Sequence, residues 1–331
     1  MGAEVCIHGF CGGGPDFGLY SGARVDSGDK RARYSYSRGR ILDSAMQPDH
    51  AVGTRAVERS AAEALDVILV VADMECTDRV RITTHSIGGP AIFGAVGMVI
   101  GENLPPRLQD RQADLELLIP RLEINCVAPA GLTDNFVLMP FAGQIVYPLM
   151  RTLVNASGSI IGECSSSDQL ISQLPRALRA ANYILGEPLL SIEEGIDSSG
   201  PYTMQFAADM ARYYPGSVKL YTQDQDELFP SHAILSSLRD PNNHNYDGIV
   251  HDMLDPRSLL RYARSKGISG LLPHRLLETV AESVSRSRES GLSDDQVKSL
   301  AVLADEAVGI PGNHTAILTS KGAKRIVDAS P

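Results

Sequence analysis

Strand-like runs and longer helical stretches alternate along most of this chain. The strand-like runs are Ala3–Ile7, Arg33–Ser37, Arg79–Thr84, Leu122–Val127, Val218–Thr222 and Ala307–Ile310. β-Branched residues or period-two alternation mark them, and turn-forming residues close them. Between the second and third, the stretch 51–74 carries Ala61, Ala64, Leu65, Ile68, Leu69 and Ala72 at helical spacing. Ala91–Ile100 is apolar throughout and free of turn signals until Gly101, which predicts a buried helix. The alternation predicts an α/β fold: a mostly parallel sheet of about six strands with helices on both faces.

Two long segments break the rhythm. Residues 136–214 read as a helical cap insertion, with helical patterning over Leu170–Ile184, broken at Pro175, and over Met204–Tyr213. Residues 231–300 read as a second insertion, with helical stretches at Arg257–Ser265 and His274–Ser287 and a third at Ser293–Glu306. Residues 1–135 are then the N-terminal half of a core and 215–331 its C-terminal half. Phe136–Gly162 holds a single charge, Arg151. Pro140, Pro148 and Asn155 interrupt it and no basic cluster flanks it, so it reads as the apolar face of a cap over a hydrophobic pocket rather than as a transmembrane span.

Composition narrows the partners. Thirty Lys and Arg against forty Asp and Glu leave a net charge of −10, and the basic residues cluster only at Lys30–Arg33. Such a chain is a poor match for nucleic acid or an anionic membrane. Aromatic residues make up 5% with no Trp, which argues against a base-stacking platform or a carbohydrate cleft. The five cysteines, Cys6, Cys11, Cys76, Cys126 and Cys164, show no C-x-x-C spacing. Cys6, Cys76 and Cys126 lie in or beside apolar segments, where a thiol acts as a small hydrophobe. These features and the lack of a signal-peptide pattern at the N-terminus predict a reducing, cytoplasmic setting. Gly12-Gly13-Gly14-Pro15 matches neither phosphate-loop pattern, and His244, Asp247, His251 and Asp252 fall in a loop-like stretch, so no cofactor or metal is expected. Whether the chain forms a homo-oligomer is left open.

The chemistry concentrates where strands end. Thr84-His85-Ser86-Ile87-Gly88-Gly89 joins a predicted strand to a predicted helix. A serine there can sit on a tight turn with its hydroxyl raised above the sheet edge, next to the positive end of a helix. His8-Gly9-Phe10 ends the first strand, and parallel strands bring their C-terminal ends to one edge. The backbone N–H groups of Phe10 and Ile87 are therefore the expected oxyanion donors. Asp226 follows the fifth strand, and His314 follows the last one after a Pro-Gly-Asn turn.

Taken together, these pieces resemble the α/β-hydrolase fold superfamily. The resemblance rests on His8-Gly9-Phe10, Arg38-Gly39, the Ser86 turn, Gln223-Asp224-Gln225-Asp226 with Pro230, and Gly312-Asn313-His314, in the chain order Ser, Asp, His. It implies an esterase, lipase or thioesterase-like serine hydrolase with Ser86 as nucleophile, His314 as general base and then acid, and Asp226 orienting the imidazole. Asp224 and Asp134 are the alternative acids. Serine at this turn speaks against dehalogenase or epoxide-hydrolase chemistry, which uses Asp, and against dienelactone-hydrolase chemistry, which uses Cys. The chain departs from the pattern with Thr84 two residues before the serine and Gln223 three before Asp226, where glycine is usual, and it begins at what would be the family's third strand. The expected substrate is a small hydrophobic ester or thioester. A lyase, cyclase or acyltransferase on the same triad, or a ligand-binding protein on the same scaffold, are the alternatives.

Overall fold

The computed structural model describes residues 2–9, 14–36, 56–132, 201–213, 218–226, 229–241, 292–314 and 316–330. Its strands are β1 (Ala3–Ile7), β2 (Ala32–Tyr36), β3 (Val80–His85), β4 (Glu123–Val127), β5 (Val218–Gln223) and β6 (Val308–Ile310). They form one six-stranded sheet in the order β2-β1-β3-β4-β5-β6, and every pairing is parallel. This open parallel sheet, wrapped by helices, is the architecture expected of an α/β-hydrolase fold. From β1 the chain steps outward to β2, then returns to place β3 on the other side of β1. Such a reversal, at the C-terminal ends of β1 and β3, is where parallel sheets of this kind carry their sites.

The longer helices among the described residues are α1 (Gly18–Asp26), α2 (Ala56–Met74), α3 (Gly88–Ile100), α4 (Gln112–Leu118), α5 (Pro201–Tyr213), α6 (Ser231–Arg239), α7 (Asp294–Asp305) and α8 (Ser320–Ala329), with a single turn at Pro106–Gln109. Period-two alternation divides the strands between two cores. Ala3, Val5 and Ile7 of β1, Val80 and Ile82 of β3, and Val218 and Leu220 of β5 face α2 to α7. Cys6, Val127, Tyr221 and Ile310 face α1 and α8. Apolar on every side, α3 is buried against the sheet, α2 and α5. It begins at Gly88, three residues before the predicted start. Pro90 needs no donor in the first turn and so fits there. Ser293 caps α7 in a reciprocal box with Gln296, two polar ends satisfying each other's backbone.

The smaller core is threaded by polar groups. Glu4 is wholly buried, and its carboxylate accepts hydrogen bonds from Tyr20 Oη at 2.9 Å, Thr83 Oγ1 at 2.7 Å and Arg33 Nε at 3.0 Å. A buried carboxylate is tolerated only when paired in this way. Arg24 donates to Tyr20 and to the carbonyl and hydroxyl of Ser330, which fastens the end of the chain to α1. Cys6 and Cys126 are buried free thiols, and burial pushes Cys126 up to about 12. Cys76 differs from expectation: it is exposed, in a left-handed turn just beyond the end of α2.

Helix α5 includes the predicted stretch Met204–Tyr213 and packs on α3 and α7. Most of 136–214 and of 231–300, including the predicted helices 170–184, 257–265 and 274–287, lies outside the described residues. So do Arg38, Gly39, Cys11, Cys164 and the His244–Asp252 group. No helix among the described residues is long and apolar enough to cross a membrane.

Candidate active site

Ser86 is the first residue after β3, and its backbone is left-handed, with φ of 54°. A non-glycine residue holds that conformation only when its surroundings over-determine it. Here three backbone bonds do so. The Ser86 N–H donates to Val127 O at 3.1 Å, and its carbonyl accepts from Gly89 N at 2.9 Å and Ala130 N at 3.1 Å. The turn also needs room. A Cβ on Gly9 would lie 2.8 Å from Ser86 Cβ, and one on Gly88 would lie 2.5 Å from Ile7 O. Thr84, where the family pattern has glycine, is a buried strand residue paired with Ile7 and Cys126. The close approach falls instead on Gly9 and Gly88.

His314 follows β6 and Gly312, and its imidazole reaches both other polar partners. Its Nε2 lies 3.0 Å from Ser86 Oγ and its Nδ1 lies 2.8 Å from Asp226 Oδ2. An ionised carboxylate only accepts, so Nδ1 carries the proton and Nε2 is left to accept the Ser86 hydroxyl. Asp226 is fixed in turn by the Phe229 N–H, which donates to Oδ1 at 2.9 Å. Its side chain is fully buried, that of His314 is 12% exposed and Ser86 is itself buried, so the whole relay is largely screened from water. The rings of His85 and Phe229 stand 4.9 and 5.3 Å from the His314 ring.

The other candidate residues are placed as follows. Asp224 does not meet His314; its Oδ1 accepts the Gly312 N–H at 2.8 Å. Asp134 and Phe10 lie outside the described residues. Ile87 precedes the first turn of α3, and no carbonyl among the described residues accepts its backbone N–H. His8 is buried and its Nδ1 donates to Gly9 O at 2.7 Å, bracing the turn after β1. Among the described residues no group of His, Cys, Asp and Glu could hold a metal ion. Sequence reasoning did not find the bond from His85 Nε2 to the His314 carbonyl at 2.7 Å, the Asp224–Gly312 tie, or Phe229. All three depend on loops meeting across the sheet edge, and no local pattern encodes that.

No protein-family model and no curated protein sequence matches the chain. Solved structures resemble it weakly. The NocB thioesterase domain, in covalent complex with a fluorophosphonate nocardicin G analogue, is 14% identical, with 99% of this chain and 93% of that one covered at a TM-score of 0.42. A hydrolase from Oleispira antarctica is 12% identical, covering 73% and 80% at 0.40. The carboxylesterase CesB from Bacillus subtilis is 14% identical, covering 71% and 70% at 0.36. At such values the fold stands on its own strand order and the site on its own distances.

Proposed function

We propose that this chain is a serine hydrolase that cleaves a carboxylic ester or thioester with an apolar group. The observation that carries the reading is the single relay Ser86 Oγ, His314 Nε2, His314 Nδ1, Asp226 Oδ2, at 3.0 and 2.8 Å, set on a strained turn beside a helix N-terminus. A serine hydroxyl is a weak nucleophile until a base takes its proton. As Ser86 Oγ forms a bond to the substrate carbonyl carbon, the proton passes to His314 Nε2, and Asp226 stabilises the imidazolium. The carbonyl electrons move to oxygen, where the Ile87 N–H, with that of Phe10, meets the oxyanion. The tetrahedral species then collapses. The C–O or C–S bond breaks, and the leaving group takes the proton from His314. Water, deprotonated by His314, attacks the acyl-enzyme and releases the acid and free Ser86.

A fluorophosphonate tests the assignment directly, because its phosphorus is attacked by the same activated oxygen. Wild type is expected to be labelled at Ser86, and Ser86→Ala to be inert. Absence of labelling in wild type, or equal labelling of Ser86→Ala, overturns the nucleophile.

A further inference from the structure

The turn that carries His314 is gripped at two points by side chains that have no role in the relay itself. At one end, the Asp224 carboxylate accepts the Gly312 N–H at 2.8 Å, and the Gln225 N–H donates to Gly312 O at 2.9 Å. At the other end, His85 lies 2.7 Å from the carbonyl of His314 through Nε2. A carbonyl only accepts, so His85 must carry its proton on Nε2. His85 is itself rigid. It is the last residue of β3, paired with Val127, it is buried, and a Cβ on Gly9 would come within 3.0 Å of its Nδ1.

We propose that His85 is a positioning residue, whose Nε2–H holds the His314 carbonyl and thereby sets the distance from the His314 imidazole to Ser86. The carbonyl carbon is bonded to the Cα from which the imidazole hangs. Fixing it, with Gly312 fixed by Asp224, removes the sliding freedom of the turn. The same strand end therefore supplies both the nucleophile and the clamp on its base: His85 ends β3 and Ser86 is the next residue, so any movement of one is shared by the other. The proposal rests on the reading of Ser86 as nucleophile. Misplacing a reacting group by about 1 Å costs up to about a hundredfold in rate.

Two substitutions and one spectrum test it. His85→Phe keeps a ring of similar size against His314 and removes the donor. His85→Gln restores an amide N–H at similar reach. The fluorophosphonate labelling rate of His85→Phe is expected to fall by about ten- to a hundredfold, with kcat for an ester falling alike and KM unchanged. His85→Gln is expected to recover most of the loss. In the unaltered protein, 15N NMR of the imidazoles should show neutral His85 as the Nε2–H tautomer, which holds whether or not the variants fold. Wild-type labelling rates in His85→Phe, a His85→Gln as slow as His85→Phe, or the Nδ1–H tautomer would each overturn the proposal. Failure of wild type itself to be labelled overturns the nucleophile instead, and the positioning role with it.

Discussion

At the scale of single residues, the two aspartates after β5 do different work although they are two positions apart. Asp226 points its carboxylate at His314 Nδ1, whereas Asp224 holds the backbone of Gly312. Asp226→Asn preserves shape but offers an amide that can donate to Nδ1, which favours the wrong tautomer. An acylation rate lower by about 10⁴-fold is expected, read from kcat/KM or from the labelling rate. Asp224→Ala leaves the carboxylate at His314 in place, so its loss should be much smaller. Equal losses would mean that the hydrogen bond to His314 is not what matters. The positions of Ser86, Asp226 and His314 were legible in the sequence because parallel strands end at one edge, so a residue just after a strand is near the site by topology alone. The preference for Asp226 over Asp224 came from the family resemblance, because a turn can present either one and local composition is blind to which faces the distant histidine.

At the scale of elements, the glycines separate positions that need emptiness from positions that merely have it. Gly88 opens α3 directly over β1, and its absent Cβ would lie 2.5 Å from the Ile7 carbonyl, a backbone atom that cannot turn aside. Gly88→Ala gains about 1 kcal/mol of helix propensity and loses more to overpacking, which costs about 1–3 kcal/mol. A net loss of stability with slower labelling is expected. Gly22, inside α1, has nothing within 4 Å of the same position. Gly22→Ala should therefore stabilise by about 0.5–1 kcal/mol. Urea midpoints check both, and the reverse order would contradict the close approach of α3 to β1. Helix α1 was missed from the sequence for a related reason: Gly18 and Gly22 weaken the local signal, and Tyr20 and Arg24, its buried positions, are held by polar bonds rather than by an apolar stripe. Helix α8 was missed although Ala323, Ile326 and Val327 recur at helical spacing on its one buried face, among otherwise polar and charged residues. The long apolar α3 and the β-branched strands, which carry their signal locally, were read within a few residues of their observed ends.

Between elements, Asp29 links the start of β2 to β3. Burial pushes its carboxyl up, but the Arg31 backbone N–H and the guanidinium groups of Arg33, Arg31 and Arg81 outweigh that and leave it below the ordinary carboxylate value. A carboxyl depressed in the folded state stabilises the fold above its unfolded pKa of about 4, and that contribution disappears as pH falls through the folded value. Asp29→Asn should lower the urea midpoint at pH 7 and make it fall less steeply between pH 5 and lower values than in wild type. An unchanged acid limb would show that the arginines do not single out Asp29.

At the scale of the whole molecule, the sheet order and the charge decide what the site can meet. The relay joins residues that follow β3, β5 and β6, three strands far apart in sequence, at the C-terminal edge of the sheet. Their spatial order was not legible, because periodicity carries no pairing, but the strands themselves were. What covers that edge was not, because 136–200 and 242–291 lie outside the described residues and their patterning speaks only of helices. The net charge of −10 is then the best guide to approach. None of the relay's reacting groups asks for a charged substrate, and an acidic molecule repels anions at long range. For a neutral hydrophobic ester, kcat/KM should stay nearly constant between low and high ionic strength. For an ester bearing a carboxylate on its acyl part, it should be lower at low salt and rise as the Debye length shrinks from about 30 Å at 0.01 M to about 10 Å at 0.1 M. A strong salt dependence with the neutral ester would place charge in the approach to Ser86 and contradict a neutral, apolar substrate.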